Sequence, residues 1–140
     1  MAVLLVGMGS NIDPESNLTQ AASALRARFS DVSFSSVYRS AAVGMQGEDF
    51  LNACCLMCSD MAVSEIRLEL KRLEDAQGRD RSDGSWRPRT LDLDVLYYDG
   101  HVVDDELYHY AHAFVPAAEL LDLTLPVDEA GLVSVVTLRL

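Results

Sequence analysis

The chain of 140 residues is predicted to fold as an α+β ferredoxin-like sandwich, a mostly antiparallel sheet packed with helices. Three observations support this class: apolar runs separated by two segments of helical period, an Asp-Gly pair typical of a tight hairpin, and the order strand, helix, strand, strand, helix, strand. No internal repeat, low-complexity tract or linker divides the sequence. We therefore expect a single domain over residues 1–140.

Apolar periodicity and turn residues define the predicted elements. In chain order we expect a strand at 2–8, a helix at 14–29, a strand at 32–39, a strand at 50–58, a helix at 64–77, a strand after Pro88, its hairpin partner from Val102, and a short helix at 116–122.

Local signals mark the ends of these elements. Asp13 before Pro14 is a typical helix entry, with Asp as the cap and Pro at the first helical position. Apolar side chains recur at helical spacing through both long helices, and Gly78 follows the second helix as a terminator. The first strand is followed by a turn at Gly9–Asn11, and Asp99-Gly100 is a strong hairpin turn.

The acidic balance of the chain limits its classes of partner. The formal net charge is −11 and the isoelectric point is near 4.5, so nucleic acids and anionic membranes would be repelled. The first residues lack the basic start and long apolar stretch of a signal peptide, and no apolar run reaches membrane-spanning length. A small, locally held anion stays compatible with this charge, and we expect a cytoplasmic protein.

Cysteine and histidine spacing does not favour a metal site. The three cysteines, at positions 54, 55 and 58, fall in one predicted strand, a spacing unsuited to a disulfide framework or to zinc. We expect them to be buried free thiols. His109 and His112 are three residues apart and could share a helical face, where polar packing or a substrate contact is favoured over a metal.

The run from Trp86 to Leu96 carries the strongest functional pattern. Its apolar residues alternate with Asp92 and Asp94, so we expect both carboxylates on one face of a strand, about 7 Å apart at their Cα atoms. Such a pair can bind hard cations such as Mg²⁺, which also takes phosphate oxygens as ligands. For this pair taken alone, the alternative is an ordinary strand with one solvated face.

Basic residues concentrate beside this run. Six of the eleven Lys and Arg residues fall between positions 71 and 89 of an otherwise acidic chain. They are Lys71, Arg72, Arg79, Arg81, Arg87 and Arg89. Because guanidinium groups match phosphate oxygens in geometry and charge, we expect this cluster to bind a polyphosphate.

Several sequence blocks together resemble one enzyme family. Gly78-Arg-Asp-Arg, followed by Trp86-Arg-Pro-Arg-Thr-Leu-Asp-Leu-Asp-Val-Leu, is similar to the signature of the 6-hydroxymethyl-7,8-dihydropterin pyrophosphokinases of folate biosynthesis. Further blocks occur in the same order as in that family: Gly9-Ser10-Asn11, Tyr38-Arg39-Ser40, Phe50-Leu51-Asn52-Ala53, and Glu74 with Gln77-Gly78. The resemblance covers residues 1 to about 110.

The resemblance implies transfer of pyrophosphate from ATP to the hydroxymethyl group of a reduced pterin, with release of AMP. Two Mg²⁺ ions would be held by Asp92 and Asp94 and would bridge the phosphates. The loop that carries Arg79 and Arg81 would close over the nucleotide and exclude water. ATP, the reduced pterin and possible folate-pathway enzymes are the implied partners.

The resemblance also implies three sets of site residues. The catalytic set is Arg79, Arg81, Arg89, Asp92 and Asp94. The ATP-binding set is Lys71, Glu74, Arg81, Trp86, Arg89, His109 and Tyr110. The pterin-binding set is Ser40, Val43, Phe50, Asn52, Trp86 and Phe114, in which Phe50 and Phe114 would sandwich the ring. Core packing is the alternative for these two phenylalanines, whereas Asn52 in an apolar strand needs partners if it is buried.

The chain departs from the family in segment 108–116. The arginine that the family carries in a short loop there has no clear counterpart, and His112 would be only a partial cation near neutral pH. Slower turnover or an altered pterin preference would follow. Two alternatives therefore stay open: a catalytically weak or inactive relative that binds pterin or nucleotide as a regulatory or scaffolding protein, and a small module whose arginine loop binds another phosphorylated ligand.

Overall fold

The computed structural model describes residues 1–41, 49–78, 91–122 and 133–140. Its elements, in chain order, are β1 (Ala2–Ser10), α1 (Pro14–Arg28), β2 (Ser30–Phe34), β3 (Val37–Ser40), β4 (Phe50–Ser59), α2 (Val63–Ala76), β5 (Asp92–Tyr98), β6 (His101–Val102), α3 (Glu106–His109), α4 (Ala111–Leu120) and β7 (Val133–Val136).

One sheet contains all seven strands of the described residues: six follow the order β6-β5-β1-β4-β3-β7, and β2 pairs with β4 outside this order. β2 and β3 pair in succession along β4, and every pairing between these described strands is antiparallel. The α+β class and the antiparallel sheet predicted from the sequence are confirmed.

Apolar side chains divide between the two faces of the sheet. On the first face, alternate residues of β1, β4 and β5 pack against α1 and α2 in the larger core, which includes Leu4, Leu25, Met57 and Leu70. On the second face a smaller core joins Leu5, Cys54 and Leu96 of the sheet to Leu107, Ala113 and Ala117 of α3 and α4. The sheet is thus covered by helices on both faces, and removal of this apolar surface from water stabilises the fold.

The first helix is confirmed, although its cap differs from the prediction. Pro14 occupies the first helical turn, but Asp13 has a left-handed φ of 41° and its side chain makes no capping hydrogen bond. Asn17 instead donates from Nδ2 to the Ile12 carbonyl at 2.6 Å.

The turn predicted at Gly9–Asn11 was wrong for its first residues, because β1 continues to Ser10 through pairing with β4.

The single strand predicted at 32–39 was wrong, because two strands occupy this range. Ser35 interrupts them: its N–H donates to the Cys54 carbonyl at 2.9 Å, and its hydroxyl oxygen accepts from the Cys54 N–H at 2.8 Å. A side chain that takes part in ladder bonding competes with regular strand pairing. Alternation of apolar residues alone does not reveal such a break.

The helix predicted at 116–122 was also misplaced. It runs from Ala111 to Leu120, and α3, which precedes it, was not predicted. Pro116 resembled a helix start in the sequence but lies inside α4. His109 and His112 do not share a helix, since the first ends α3 and the second lies in α4. Among the described helices, none has the length and apolar content needed to span a membrane.

Glu119 attaches α4 to the sheet edge. Its carboxylate accepts hydrogen bonds from the Ser36 N–H and hydroxyl, each at 3.0 Å, and from the Tyr38 hydroxyl of β3. Burial, followed by the hydrogen bond to Glu119 and its charge, raises the pKa of Tyr38 to about 12, so the hydroxyl stays a donor. This contact holds α4 above β3 and β4.

The predicted stop signals are confirmed at two glycines. Gly78 ends α2 with a φ of 90°, and its N–H donates to the Asp75 carbonyl at 3.1 Å. Asp99 and Gly100 both have positive φ values, 47° and 94°, as a type I′ hairpin turn requires. The returning strand begins at His101, one residue before the predicted position.

The cysteines are free thiols, as predicted, and they differ in accessibility. Cys54 and Cys55 are buried, whereas Cys58 is only partly buried. Burial raises the pKa of Cys55 to about 12 and raises that of Cys54 even more strongly. Since the thiolate is the reactive form, these two thiols should be inert in the folded protein.

We expect Ellman's reagent to modify Cys58 in the native protein, and all three thiols only after unfolding in urea. The Cys58→Ser variant is the matched control and should show almost no native reactivity. Rapid native labelling of that variant would contradict the burial of Cys54 and Cys55.

Candidate active site

A cavity of about 250 Å³ lies between the second face of the sheet and the segment α3–α4. The sheet contributes Gly7, Gly9, Ser40, Phe50, Asn52, Cys54, Asp92, Asp94 and Leu96, and the segment α3–α4 contributes Glu106, Tyr110, His112 and Ala113. The volume is slightly below the range of roughly 300–1,000 Å³ typical of drug-sized ligands. It suits a small ring system better than a whole nucleoside triphosphate.

Two glycines of β1 form the floor of this cavity. Strand pairing places Gly9 opposite both Asn52 and Asp92, and Gly7 opposite both Cys54 and Asp94. Because adjacent strands lie about 4.8 Å apart, the outer residues of each row are about 10 Å apart, and β1 itself places no side chain between them. We call Gly7 and Gly9 the glycine floor.

The two glycines differ in what lies over them. A Cβ added at Gly9 would lie 3.4 Å from Oδ1 of Asn52 and 3.6 Å from the Phe50 ring. A Cβ at Gly7 would lie only 3.0 Å from Cδ1 of Leu96. The Leu96 side chain therefore packs on the backbone of Gly7, whereas Gly9 lets a flat ligand approach the backbone of the central strand.

Asp92 and Asp94 lie on one face of β5, as their alternation in the sequence predicted, and both line the cavity. The intervening Leu93 points into the larger core with Leu91 and Val95. Desolvation by burial, followed by the charges of Asp92 and Glu106, raises the pKa of Asp94 to about 7. An ionised Asp94 is therefore disfavoured in the protein alone, and a cation beside it would reverse this.

These two carboxylates could hold a hard divalent cation. The described residues contain no group of three or more His, Cys, Asp or Glu side chains arranged for a metal. Mg²⁺ commonly binds through one or two carboxylates and completes its shell with water and substrate phosphates. The pair fits that mode of binding.

Glu74 supports the strand that carries both aspartates. Its side chain, only 4% exposed, accepts a 2.7 Å hydrogen bond from the N–H of Leu93, between Asp92 and Asp94. Glu74 lies on α2, which packs on the other face of the sheet and does not line the cavity. The sequence did not predict the hydrogen bond between Glu74 and the Leu93 N–H, and the contact of Glu74 with ATP stays a prediction.

Asn52 and Ser40 form a buried polar pair at the cavity wall. The Asn52 amide donates from Nδ2 to Ser40 Oγ at 2.8 Å and to the Tyr38 carbonyl at 3.3 Å. Both bonds use the NH₂ group, so the carbonyl oxygen Oδ1 is directed towards the glycine floor. This oxygen could accept a hydrogen bond from the amino or amide edge of a ring.

On the α3–α4 side of the cavity, Tyr110 was predicted as an ATP contact, but Glu106 and His112 were not among the predicted site residues. His112 Nε2 lies 2.8 Å from Glu106 Oε1, and the rings of Tyr110 and His112 stack with centroids 5.2 Å apart at 21°. Glu106 was missed because α3 was not predicted. The sequence feature that could have indicated this part of the site was His112, which was interpreted only as a partial cation.

The remaining predicted residues fall outside the cavity or outside the described residues. Phe114, His109 and Lys71 do not line the cavity, and His109 is 54% exposed with Asp105 at 4.0 Å. Val43, Arg79, Arg81, Trp86 and Arg89 lie outside the described residues. Their predicted roles stay predictions.

The fold and site define a ferredoxin-like α+β protein with an acidic, ring-sized cavity. The sequence matches the family model described as 7,8-dihydro-6-hydroxymethylpterin-pyrophosphokinase (HPPK) over residues 5–130. The chain belongs to this family, which confirms the resemblance predicted from its motifs.

Curated relatives agree with this assignment. Three similar proteins are each named 2-amino-4-hydroxy-6-hydroxymethyldihydropteridine pyrophosphokinase. The Haemophilus influenzae protein is 31% identical over 139 residues, covering 90% of this chain and 86% of the relative. The Aquifex aeolicus protein is 31% identical over 117 residues, covering 82% and 72%. The Pseudomonas aeruginosa protein is 34% identical over 134 residues, covering 86% and 82%.

The raised pKa of Asp94 predicts that the metal-free protein loses stability as pH rises. The folded state favours the neutral carboxyl, so this residue contributes stability below its unfolded pKa, and that contribution is lost between about pH 4 and pH 7. We expect Asp94→Asn, which cannot ionise, to raise the free energy of unfolding by about 1–3 kcal/mol at pH 8 relative to wild type.

Urea unfolding with a chelator at pH 5 and pH 8 measures this difference. Asp99→Asn, in the exposed hairpin turn where Asn is equally suited, is the matched control. An Asp94→Asn effect of equal size at both pH values would contradict the ionisation argument.

We expect Glu74→Gln to destabilise the protein by about 1–3 kcal/mol, because the amide replaces a charged acceptor at a buried backbone donor. Glu15→Gln, on the exposed surface of α1, should change stability by less than about 0.5 kcal/mol. Thermal or urea unfolding of both variants makes the comparison, and equal stabilities would exclude a supporting role for Glu74.

Proposed function

We propose that this chain transfers pyrophosphate from ATP to 6-hydroxymethyl-7,8-dihydropterin, giving AMP and the pterin pyrophosphate in folate biosynthesis. The observation that carries the proposal is the placement of Asp92 and Asp94 beside a cavity with a glycine floor, in a chain of this family. A cytoplasmic location and contact with other folate enzymes remain predictions.

The reduced pterin is proposed to occupy the cavity. A bicyclic ring can lie flat over Gly9, between Asn52 and Asp92 of the neighbouring strands, while the Leu96 side chain covers Gly7 and bounds the ring on that side. Oδ1 of Asn52 can accept from the ring edge, since Ser40 and the Tyr38 carbonyl already accept from its amide. The Phe50 ring lines the same space and can contact the pterin. The hydroxymethyl group would then face the two aspartates.

Asp92 and Asp94 are proposed to hold two Mg²⁺ ions. When bound, magnesium would neutralise the charge of the phosphates and of the carboxylates. Support for this comes from the raised pKa of Asp94, since a carboxylate destabilised in the protein alone gains most from a nearby cation. Glu74 keeps the backbone between them in place through the Leu93 N–H.

Arg79, Arg81 and Arg89 are proposed to bind the phosphates of ATP. The support is compositional: guanidinium groups are concentrated here in a chain of net charge −11. With the phosphates and the hydroxymethyl group fixed, alignment and charge neutralisation supply most of what this class of transfer requires. Trp86, His109 and Tyr110 are further candidate contacts for the nucleotide.

The test is an assay of AMP formed from MgATP and 6-hydroxymethyl-7,8-dihydropterin. Wild type should form AMP only when the pterin is present. We expect Asp94→Ala to lower kcat/KM by about a hundredfold or more, because one carboxylate of the cation site is lost. His101→Ala, an exposed histidine of β6, is the control and should keep the wild-type rate.

Two outcomes would contradict the proposal. Tight binding of MgATP by wild type without AMP formation would favour an inactive relative. A wild-type rate retained by Asp94→Ala would show that the reaction does not depend on this site.

A further inference from the structure

The helix side of the cavity contains an ordered aromatic surface. His112 of α4 and Tyr110, which precedes α4, both line the cavity, and their rings stack nearly parallel at 5.2 Å. In such a stack each ring keeps one face that its partner does not cover, and that face suits contact with another planar ring. Phe114, the residue predicted from the sequence to make this contact, does not line the cavity.

Glu106 fixes the orientation of the His112 ring. The distance from His112 Nε2 to Glu106 Oε1 is 2.8 Å, and the two side chains are 21% and 28% exposed. A hydrogen bond of this length between the imidazole and the carboxyl group restricts rotation of the ring and holds it in one plane. The partly buried bond and the stacking with Tyr110 constrain the imidazole from two directions.

The opposite side of the cavity is complementary to this surface. The glycine floor lies on the sheet and leaves the central strand open at Gly9, while Leu96 covers Gly7 and Phe50 and Asn52 of β4 line the adjacent wall. A planar heterocycle would therefore have backbone on one side and the imidazole on the other. Ala113 and Cys54 close the same region through a 3.7 Å contact between Sγ and the Ala113 carbonyl.

We propose that His112, positioned by Glu106 and supported by Tyr110, forms the helix-side wall that binds the pterin ring, in place of Phe114. This inference rests on the proposed function, because it names the residue that selects the ring of that substrate. His112 is thus a ring-binding residue, and Glu106 is a positioning residue that acts through it.

The test uses ring binding rather than turnover. The probe is 6-hydroxymethylpterin, the oxidised ring, titrated by its fluorescence in the presence of Mg²⁺ and a non-hydrolysable ATP analogue. We expect His112→Ala to weaken pterin binding by about tenfold and His112→Phe to restore it to within about threefold, because the flat ring returns. Affinity for the ATP analogue should change by less than about twofold in both variants.

A double-mutant cycle tests the positioning role of Glu106. Glu106→Ala should weaken pterin binding in the wild-type background and have no effect in the His112→Phe background, since phenylalanine needs no carboxylate partner. His101→Ala serves as a control for loss of an exposed histidine and should bind the pterin as wild type does.

The outcomes separate this inference from the proposed function. If the protein forms no AMP but binds the pterin in a way that depends on His112, the proposed reaction is contradicted and the inference is supported. The inference is overturned if Phe114→Leu weakens pterin binding as much as His112→Ala does, if the Glu106→Ala effect persists beside His112→Phe, or if wild type does not bind the probe. Thermal unfolding identifies variants that fail to fold. If His112→Ala is one of them, the pterin affinity of His112→Phe tests the inference.

Discussion

The pairing of β1 with β4 on one edge and β5 on the other is the constraint on which the site depends. It aligns residues from three distant parts of the chain, so that Asn52, Gly9 and Asp92 form one row and Cys54, Gly7 and Asp94 the next. A one-residue slip would turn both aspartates into the larger core, where unpaired charges would be strongly unfavourable. The apolar residues that alternate with the aspartates therefore also secure the position of the site.

The electrostatics of the site differ on the two faces of β5. On the cavity face, Asp94 is close to Asp92 and Glu106, and its raised pKa shows that the charged form is unfavourable without a cation. On the core face, Glu74 is buried but accepts the Leu93 N–H, and the hydrogen bond stabilises the strand. Functional sites commonly contain groups that lower the stability of the protein without its ligand, as Asp94 does here. The hydrogen bond between the Leu93 N–H and Glu74, on the opposite face of β5, offsets that loss of stability.

Much of the fold was predictable because its signals are local. The period of α1, the Gly78 terminator, the Asp99-Gly100 turn and the alternation around Asp92 each depend on neighbouring residues only. The predictions failed where distant residues compete with local preference. Ser35 divides a strand through hydrogen bonds to Cys54, and α4 extends through Pro116 because its alanines pack on the sheet.

The candidate site shows the same division. The sequence by itself determined the family, the acidic pair on one strand face and the candidate ring-edge amide Asn52, because motif order and strand alternation are properties of the chain alone. Only the tertiary structure decided that Glu106 and His112 meet above the glycine floor while Phe114 stays outside the cavity. The reason is physical: α3 and α4 take their places by packing on the second face of the sheet, and the strands that form this face are far apart in the sequence.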